Sequence, residues 1–112
     1  MKKFVLIFRA TDKVDAENIK NGLKTIETRA GTVRYKDVKA GDILVISCAG
    51  EKFEKVIKKV KHYDSIEALL TENDFKLIAP TAETVGDVYK MYASYPGYKD
   101  KIAKYGIMAF YL

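Results

Sequence analysis

Cysteine and histidine are nearly absent from this 112-residue chain, which contains only Cys48 and His62. A single cysteine excludes an internal disulfide and a cysteine-based zinc site, and a single histidine excludes a histidine metal cluster. Glycine-rich motifs of the Walker A and dinucleotide-binding types are also missing. The sequence therefore gives no sign of a metal or cofactor. We expect Cys48 to be a small buried side chain and His62 to lie on the surface.

Long apolar runs are missing too. The run at the start, residues 4–8, is far shorter than the ~18 residues of a membrane span and is too short for the core of a signal peptide. We therefore expect a cytoplasmic protein with no membrane partner. Because repeats, linkers and compositional breaks are absent and 112 residues suit one domain, residues 1–112 are predicted to form a single domain.

Arginine is scarce in a chain that is otherwise basic. Lys and Arg number 20 against 15 Asp and Glu, which gives a net charge of +5, yet the only arginines are Arg9, Arg29 and Arg34. A basic balance suits a polyanionic partner, most simply nucleic acid, although a lysine-rich surface also serves solubility alone. Because the planar guanidinium binds phosphate and carboxylate groups in a fixed geometry, the arginines are more informative than any lysine.

Short apolar runs predict strands at residues 4–9, 43–47 and 106–112, and alternation of side chains predicts a fourth strand at residues 25–29. The segment 52–61 is ambiguous, because its apolar residues fall at helical spacing while its length and flanking turns suit a strand. We predict a strand there, since the preceding strand needs a partner.

Capping residues and turn signals predict three helices. The first follows Thr11 or Asp12, turns Val14 and Ile19 inward and stops at Asn21-Gly22. The second spans residues 65–71. The third opens at Thr81 and closes at Pro96-Gly97, and its predicted inner face consists of Val85, Val88, Tyr89 and Tyr92. The order of elements predicts an α+β fold with a mixed, barrel-like sheet rather than a doubly wound parallel sheet.

The densest group of polar side chains lies between a helix-ending glycine and a predicted strand. On that strand Thr25, Glu27 and Arg29 share one face, with Ile26 and Thr28 on the other, and Lys24 stands at its start. This row could hold a polar ligand, with Arg29 on a phosphate or carboxylate, Glu27 on the amino donors of a base, and Lys24 as a charge or a base. The alternative is a solvated edge strand with surface ion pairs.

Tyrosines are concentrated near the end of the chain, at Tyr89, Tyr92, Tyr95, Tyr98 and Tyr105. Tyr89 and Tyr92 have helical spacing and are predicted to be core residues. Tyr95 and Tyr98 flank the Pro96-Gly97 turn, with lysines interleaved, and are freer to stack on a base. The alternative is that their hydroxyls anchor the turn.

The segment Gly22–Arg29, Gly-Leu-Lys-Thr-Ile-Glu-Thr-Arg, resembles the Gly-x-Lys-Thr-x-Glu-x-Arg signature of the ASCH domain family, which has a PUA-like fold. Residues 38–43 and 60–66, and then 95–97 with 105–107, resemble further family segments in the same order. The resemblance implies a PUA-like mixed or antiparallel β-barrel flanked by α-helices, with the signature lining a cleft. It also implies that 52–61 is a strand.

The resemblance implies a function related to RNA. Our first hypothesis is that the cleft binds RNA or a nucleotide through Lys24, Glu27 and Arg29, with Tyr95 or Tyr98 stacking on a base. Some ASCH members hydrolyse the acetyl amide of N4-acetylcytidine, and some have been described as ribonucleases. An amidohydrolase acting on an acylated nucleoside is therefore the second hypothesis, and a metal-independent ribonuclease is the third.

As an enzyme, the chain would use Lys24, Thr25 and Glu27 as its catalytic residues. The amidohydrolase members carry a catalytic threonine three residues after the lysine, where this chain has Glu27. Their further catalytic glutamate would correspond here to Glu67 or Glu72. Because the threonine is replaced, the chain resembles the Lys-Thr-x-Glu branch more than the amidohydrolase branch, and we expect a binding protein.

Overall fold

Six β-strands and five α-helices make up the computed structural model, which describes residues 1–112. Strands β1 to β6 span Lys3–Phe8, Ile26–Ala30, Ile43–Cys48, Glu51–Val56, Lys59–Tyr63 and Ile107–Tyr111. Helices α1 to α5 span Lys13–Lys20, Ile66–Glu72, Phe75–Ile78, Val85–Ser94 and Tyr98–Tyr105. Two short 3₁₀ turns lie at Ala10–Asp12 and Val33–Tyr35. The four strands first predicted, at residues 4–9, 25–29, 43–47 and 106–112, are confirmed, and each end lies within one residue of its predicted position.

The strands form two three-stranded sheets. In the first, of order β1-β3-β4, β1 runs parallel to β3 and β3 runs antiparallel to β4. In the second, of order β2-β6-β5, both pairings are antiparallel. The α+β class is confirmed, but the strands do not close into a barrel. Strand β2 has only one neighbour, so its other edge is free to form the wall of a cleft.

The ambiguous segment 52–61 is extended, as predicted, but it is divided between the two sheets. Strand β4 ends at Val56, and β5 begins at Lys59. Phe53 and Ile57 lie on the inner side, whereas Val56 is exposed. The corner between the strands then shifts the alternation by one residue. Two short strands of opposite phase thus produce the helical spacing of apolar residues.

Two hydrophobic clusters form the core, and β6 lies between them. Ile107 and Ala109 belong to the cluster that the helices α2 to α5 cover. Phe110 belongs to the cluster between α1 and the first sheet, where its ring packs against that of Tyr35 at 5.8 Å between centroids. Because alternate side chains point to opposite faces of a strand, β6 contributes to both clusters at once.

Some predicted helix faces are wrong. In α1 Ile19 is buried, as expected, but Val14 is exposed and Ala16 takes the inner position. In α4 Val88 and Tyr92 are buried, as predicted. Val85 and Tyr89 were also predicted to face inward, but both are exposed. Both errors have one cause, since each apolar side chain was assigned inward although a single narrow face of each helix contacts the core.

Capping decides where the helices begin. The helix α4 starts at Val85 rather than at Thr81, because the Thr84 hydroxyl accepts a hydrogen bond from the Asp87 amide and Asp87 accepts from the Thr84 amide in return. The second predicted helix is confirmed as α2, which Ser65 caps. The short helices α3 and α5 escaped the sequence analysis. The Pro96-Gly97 turn separates α4 from α5.

Gly106 provides a stability prediction, because it joins α5 to β6 at φ 72° and ψ −163°, a conformation almost restricted to glycine. A Cβ atom there would lie 2.6 Å from the Tyr63 carbonyl oxygen and would also overlap the His62 ring. Gly22 has a similar φ of 80°, but nothing lies within 4 Å of its Cβ position. We expect Gly106→Ala to lower the melting temperature at least twice as much as Gly22→Ala. Equal decreases in thermal unfolding experiments would contradict this prediction.

Candidate functional site

A cleft of about 310 Å³ opens beside the free edge of β2. Its walls come from the end of β1, from α1, from β2 and from the corner between α4 and α5. Four cations and three anions line it, and they are Arg9, Lys24, Arg29 and Lys101 with Asp12, Asp15 and Glu27. The charged residues of the segment between α1 and β2 thus meet the tyrosines of the α4–α5 corner.

Lys24 is buried in the inner part of this cleft between two carboxylates. Its Nζ lies 3.1 and 3.0 Å from the two carboxylate oxygens of Asp15 and 3.7 Å from Oε1 of Glu27. Only 4% of the Lys24 side chain is exposed, compared with 33% for Asp15. The helix stop at Gly22 makes this contact possible, because it turns the chain back so that Lys24 faces α1.

The pKa values of these groups reflect burial and mutual charge. Burial by itself would lower the pKa of Lys24, but the carboxylates of Glu27 and Asp15 outweigh it and raise that pKa above its ordinary value. Burial raises the pKa of Asp15, and Lys24 opposes this effect only in part. Lys24 therefore remains a protonated ammonium at neutral pH and is a poor general base.

Glu27 and Arg29 carry buried polar atoms that lack partners. Oε1 of Glu27 accepts a hydrogen bond of 2.7 Å from the Thr28 amide, whereas Oε2 accepts none. Oε2 lies 3.9 Å from Nη2 of Arg29, and Nε of Arg29 also has no hydrogen-bond partner. The Arg29 guanidinium stands over the ring of Phe8, 5.3 Å from its centroid. Two residues that line the cleft thus each hold one buried polar atom without a partner, an acceptor on Glu27 and a donor on Arg29.

Three tyrosines pack together on the opposite wall. The rings of Tyr92 and Tyr98 are parallel within 7° at 6.4 Å between centroids, and Tyr95 meets Tyr98 edge-on at 5.3 Å. The Tyr92 hydroxyl forms a short hydrogen bond with that of Thr28. Burial raises the pKa of both Tyr92 and Tyr95. The Tyr92 and Tyr95 phenols are therefore neutral at neutral pH. All three rings offer aromatic surface with a polar end.

The structure brings most of the predicted binding residues together, since Lys24, Glu27, Arg29, Tyr95 and Tyr98 all line the cleft. Thr25 does not line it. It precedes β2, and its backbone bonds to Leu77 and Leu112 instead.

The two candidate distal acids, Glu67 and Glu72, also lie outside the cleft. Glu72, at the end of α2, binds Lys61 and the hydroxyl of the buried Tyr63 on β5, and these hydrogen bonds lower the pKa of Glu72. If the cleft is a site, its acids are those nearest to Lys24. They are Asp15 and Glu27, together with Asp12, which pairs with Arg9.

Sequence reasoning missed Asp15, Thr28 and Tyr92 as cleft residues. The positions 12, 15, 16 and 19 follow helical spacing, which could have placed Asp15 beside the buried face of α1. Thr28 was assigned to the face opposite Glu27, and that alternation is correct for a strand within a sheet. At the free edge of β2, however, side chains from both faces reach the same cleft.

Elsewhere the single cysteine and histidine lie where the sequence predicted. Cys48 is buried at the end of β3, and His62 is exposed. No group of three or more His, Cys, Asp or Glu side chains is placed to hold a metal ion. The longest helix, α4, has ten residues, and none of the five has the length and apolar character that crossing a bilayer requires.

The chain is similar in structure to two proteins of known coordinates. A crystal structure of hypothetical protein PH0355 has a TM-score of 0.82 and 24% identity, covering 97% of this chain and 95% of that one. The solution NMR structure of protein PF0455 from Pyrococcus furiosus has a TM-score of 0.75 and 24% identity, covering 97% and 94%. At this identity the similarity shows the fold alone. No protein-family model matches the chain, and no curated protein does.

Proposed function

We propose that the cleft binds a nucleobase, carried by RNA or by a nucleotide. The observation that carries this proposal is the free pair of buried atoms, Oε2 of Glu27 and Nε of Arg29. A buried polar group without a partner costs about 1–3 kcal/mol, so a ligand that pairs both atoms recovers that energy on binding. The edge of a nucleobase places a hydrogen-bond donor beside an acceptor, which is the complement of this pair.

The aromatic wall supports the same ligand. Tyr95 and Tyr98 are partly exposed in the cleft and face the charged wall of β2. Stacking of a base on an aromatic side chain contributes about 1–3 kcal/mol and tolerates any base. A flat ligand with polar edges therefore suits the cleft better than an aliphatic or highly charged one.

Charge also favours a neutral group in the inner part of the cleft. We name Asp15, Lys24, Glu27 and Arg29 the inner group, and its two cations and two anions cancel. Lys24, which the sequence analysis offered to a phosphate, is instead held between carboxylates. We assign it to fixing Glu27 in place rather than to contacting the ligand's phosphate.

The position of Lys24 between two carboxylates also favours a binding function over hydrolysis. An amidohydrolase or a ribonuclease built on Lys24, Thr25 and Glu27 would need Lys24 to lose its proton or a threonine to attack. The raised pKa of Lys24 opposes the first route, and Thr25 lies outside the cleft. We propose, on the signature residues Lys24, Glu27 and Arg29, that the chain is an ASCH-like domain with an open, PUA-like arrangement of strands.

Glu27→Gln tests this proposal, because it keeps the shape of the side chain but replaces one carboxylate oxygen by an amide donor. Removal of a charged acceptor costs about 1.5–3 kcal/mol, so we expect binding of ribonucleosides to weaken at least tenfold. Isothermal titration calorimetry with the four ribonucleosides measures this change. Glu72→Gln, which alters a carboxylate outside the cleft, is the matched control and should bind as the wild type does.

Two outcomes would contradict the proposal. The first is wild-type binding by a folded Glu27→Gln variant, and the second is no binding of any nucleoside, nucleotide or single-stranded RNA by the wild type. Incubation with N4-acetylcytidine distinguishes the amidohydrolase hypothesis from binding alone. Deacetylation by the wild type that is lost in Lys24→Arg would establish an amidohydrolase instead, because arginine keeps the charge but cannot act as a base near neutral pH.

A further inference from the structure

The outer part of the cleft differs in charge from the inner group. Four residues at its entrance, which we call the mouth, are Ile7, Arg9, Pro96 and Lys101. Arg9 is bound by Asp12 at 2.9 Å, whereas no carboxylate lies within 4.0 Å of the Lys101 ammonium. Lys101 is therefore the single lining cation without an acidic partner.

Lys101 stands beside the aromatic wall. It lies three residues after Tyr98 on α5, and side chains at this spacing share one face of a helix. Lys101 is exposed, whereas Glu27 at the other end of the cleft is only 4% exposed. A base that contacts Glu27 and Arg29 and stacks on Tyr98 would thus direct its sugar and phosphate toward Lys101.

We propose that the ligand is a single nucleotide, a nucleoside monophosphate, with its base against the inner group and its phosphate on Lys101 at the mouth. This inference rests on the proposed function and specifies its ligand. A cleft of about 310 Å³ is at the small end for ligand pockets, which suits one nucleotide unit. A longer backbone would need further unpaired cations along its path, and the lining supplies one.

The experiment compares the four ribonucleosides with their 5′-monophosphates by titration calorimetry at 50 mM salt. We expect the preferred monophosphate to bind about fivefold more tightly than its nucleoside, since an exposed ion pair contributes up to ~1 kcal/mol. Lys101→Ala should abolish that difference without changing nucleoside affinity. Lys104→Ala is the matched control, because it removes the same charge from the next turn of α5 outside the cleft.

Salt dependence provides a second measurement. Salt screens an exposed ion pair, so the advantage of the monophosphate over its nucleoside should shrink between 50 and 200 mM salt, whereas binding of the nucleoside should not change. A 10-nucleotide single-stranded RNA should bind no more tightly per site than the monophosphate does.

Each result decides the inference. A phosphate gain that depends on Lys101 supports it. Equal affinity for nucleoside and monophosphate, with Glu27→Gln weakening both, would leave the proposed function standing and overturn the nucleotide assignment. Much tighter binding of the RNA, with a salt slope of several contacts, would also overturn it, in favour of a strand. Absence of binding to every probe would remove the proposed function itself.

Discussion

Replacement of Lys24 by methionine should lower the free energy of unfolding by about 3–5 kcal/mol, because it breaks a buried ion cluster and leaves the carboxylates of Asp15 and Glu27 with Arg29 as the one remaining cation of the inner group. Methionine has a similar length and fills the space, so the loss reports the charge rather than a cavity. Glu27 is 4% exposed and would face Asp15 without the intervening ammonium. Urea denaturation at pH 7 measures the change. It should shrink at lower pH as Asp15, whose pKa burial raises, becomes protonated.

Two further variants serve as controls for the Lys24→Met prediction. Lys3→Met removes a lysine from the exposed pair with Glu54 and should cost less than about 1 kcal/mol. The triple variant Asp15→Asn, Lys24→Met, Glu27→Gln removes both carboxylates together with Lys24 and keeps Arg29, so it should recover part of the lost stability. If Lys24→Met costs no more than Lys3→Met, the inner group does not depend on Lys24, and our account of how Glu27 is held would be wrong.

Phe110→Ala is the second change with a large expected effect, about 3–5 kcal/mol, which is typical of emptying a buried aromatic site. Phe110 is fully buried on β6, the strand that lies between the two hydrophobic clusters. Its loss therefore leaves a cavity where the second sheet meets the first. Urea denaturation should show a lower midpoint with an unchanged slope.

Tyr89→Ala is the matched control for that change, because Tyr89 is an aromatic residue that is 41% exposed on α4. The sequence predicted Tyr89 to be a core residue, so the two variants also compare the sequence-based assignment with the structure. We expect the Tyr89 variant to lose less than half as much stability as the Phe110 variant. Equal losses would mean that Tyr89 is buried in solution.

The local pattern of the sequence was sufficient for several features. Apolar runs located the strands β1, β3 and β6, because a short apolar run bounded by turns seldom forms anything but a buried strand. Alternation of side chains located β2. The signals at Ser65 and at Pro96-Gly97 located helix ends, since capping depends on neighbouring residues alone. The grouping of Lys24, Glu27 and Arg29 beside one cleft also follows from local order, because six consecutive positions on and before one strand cannot separate far in space.

Tertiary structure alone decided the remaining features. Strand β2 is an edge strand because it pairs only with β6, and this long-range pairing brings Thr28 into the cleft beside Glu27. The same pairings divide the strands between two sheets where the resemblance implied a barrel.

The partners of the charged residues were also decided by tertiary structure. The chain turns back after α1, so that Lys24 forms an ion pair with Asp15. Packing of the α4–α5 corner buries Tyr92 and leaves Tyr89 exposed. Alternation and helical spacing specify which face a side chain takes, but not which element that face will meet. The residue types of the cleft were therefore determined by the sequence. Its charge balance depends on the return of the chain after α1, which brings Lys24 to Asp15, and its aromatic wall comes from a segment far along the chain.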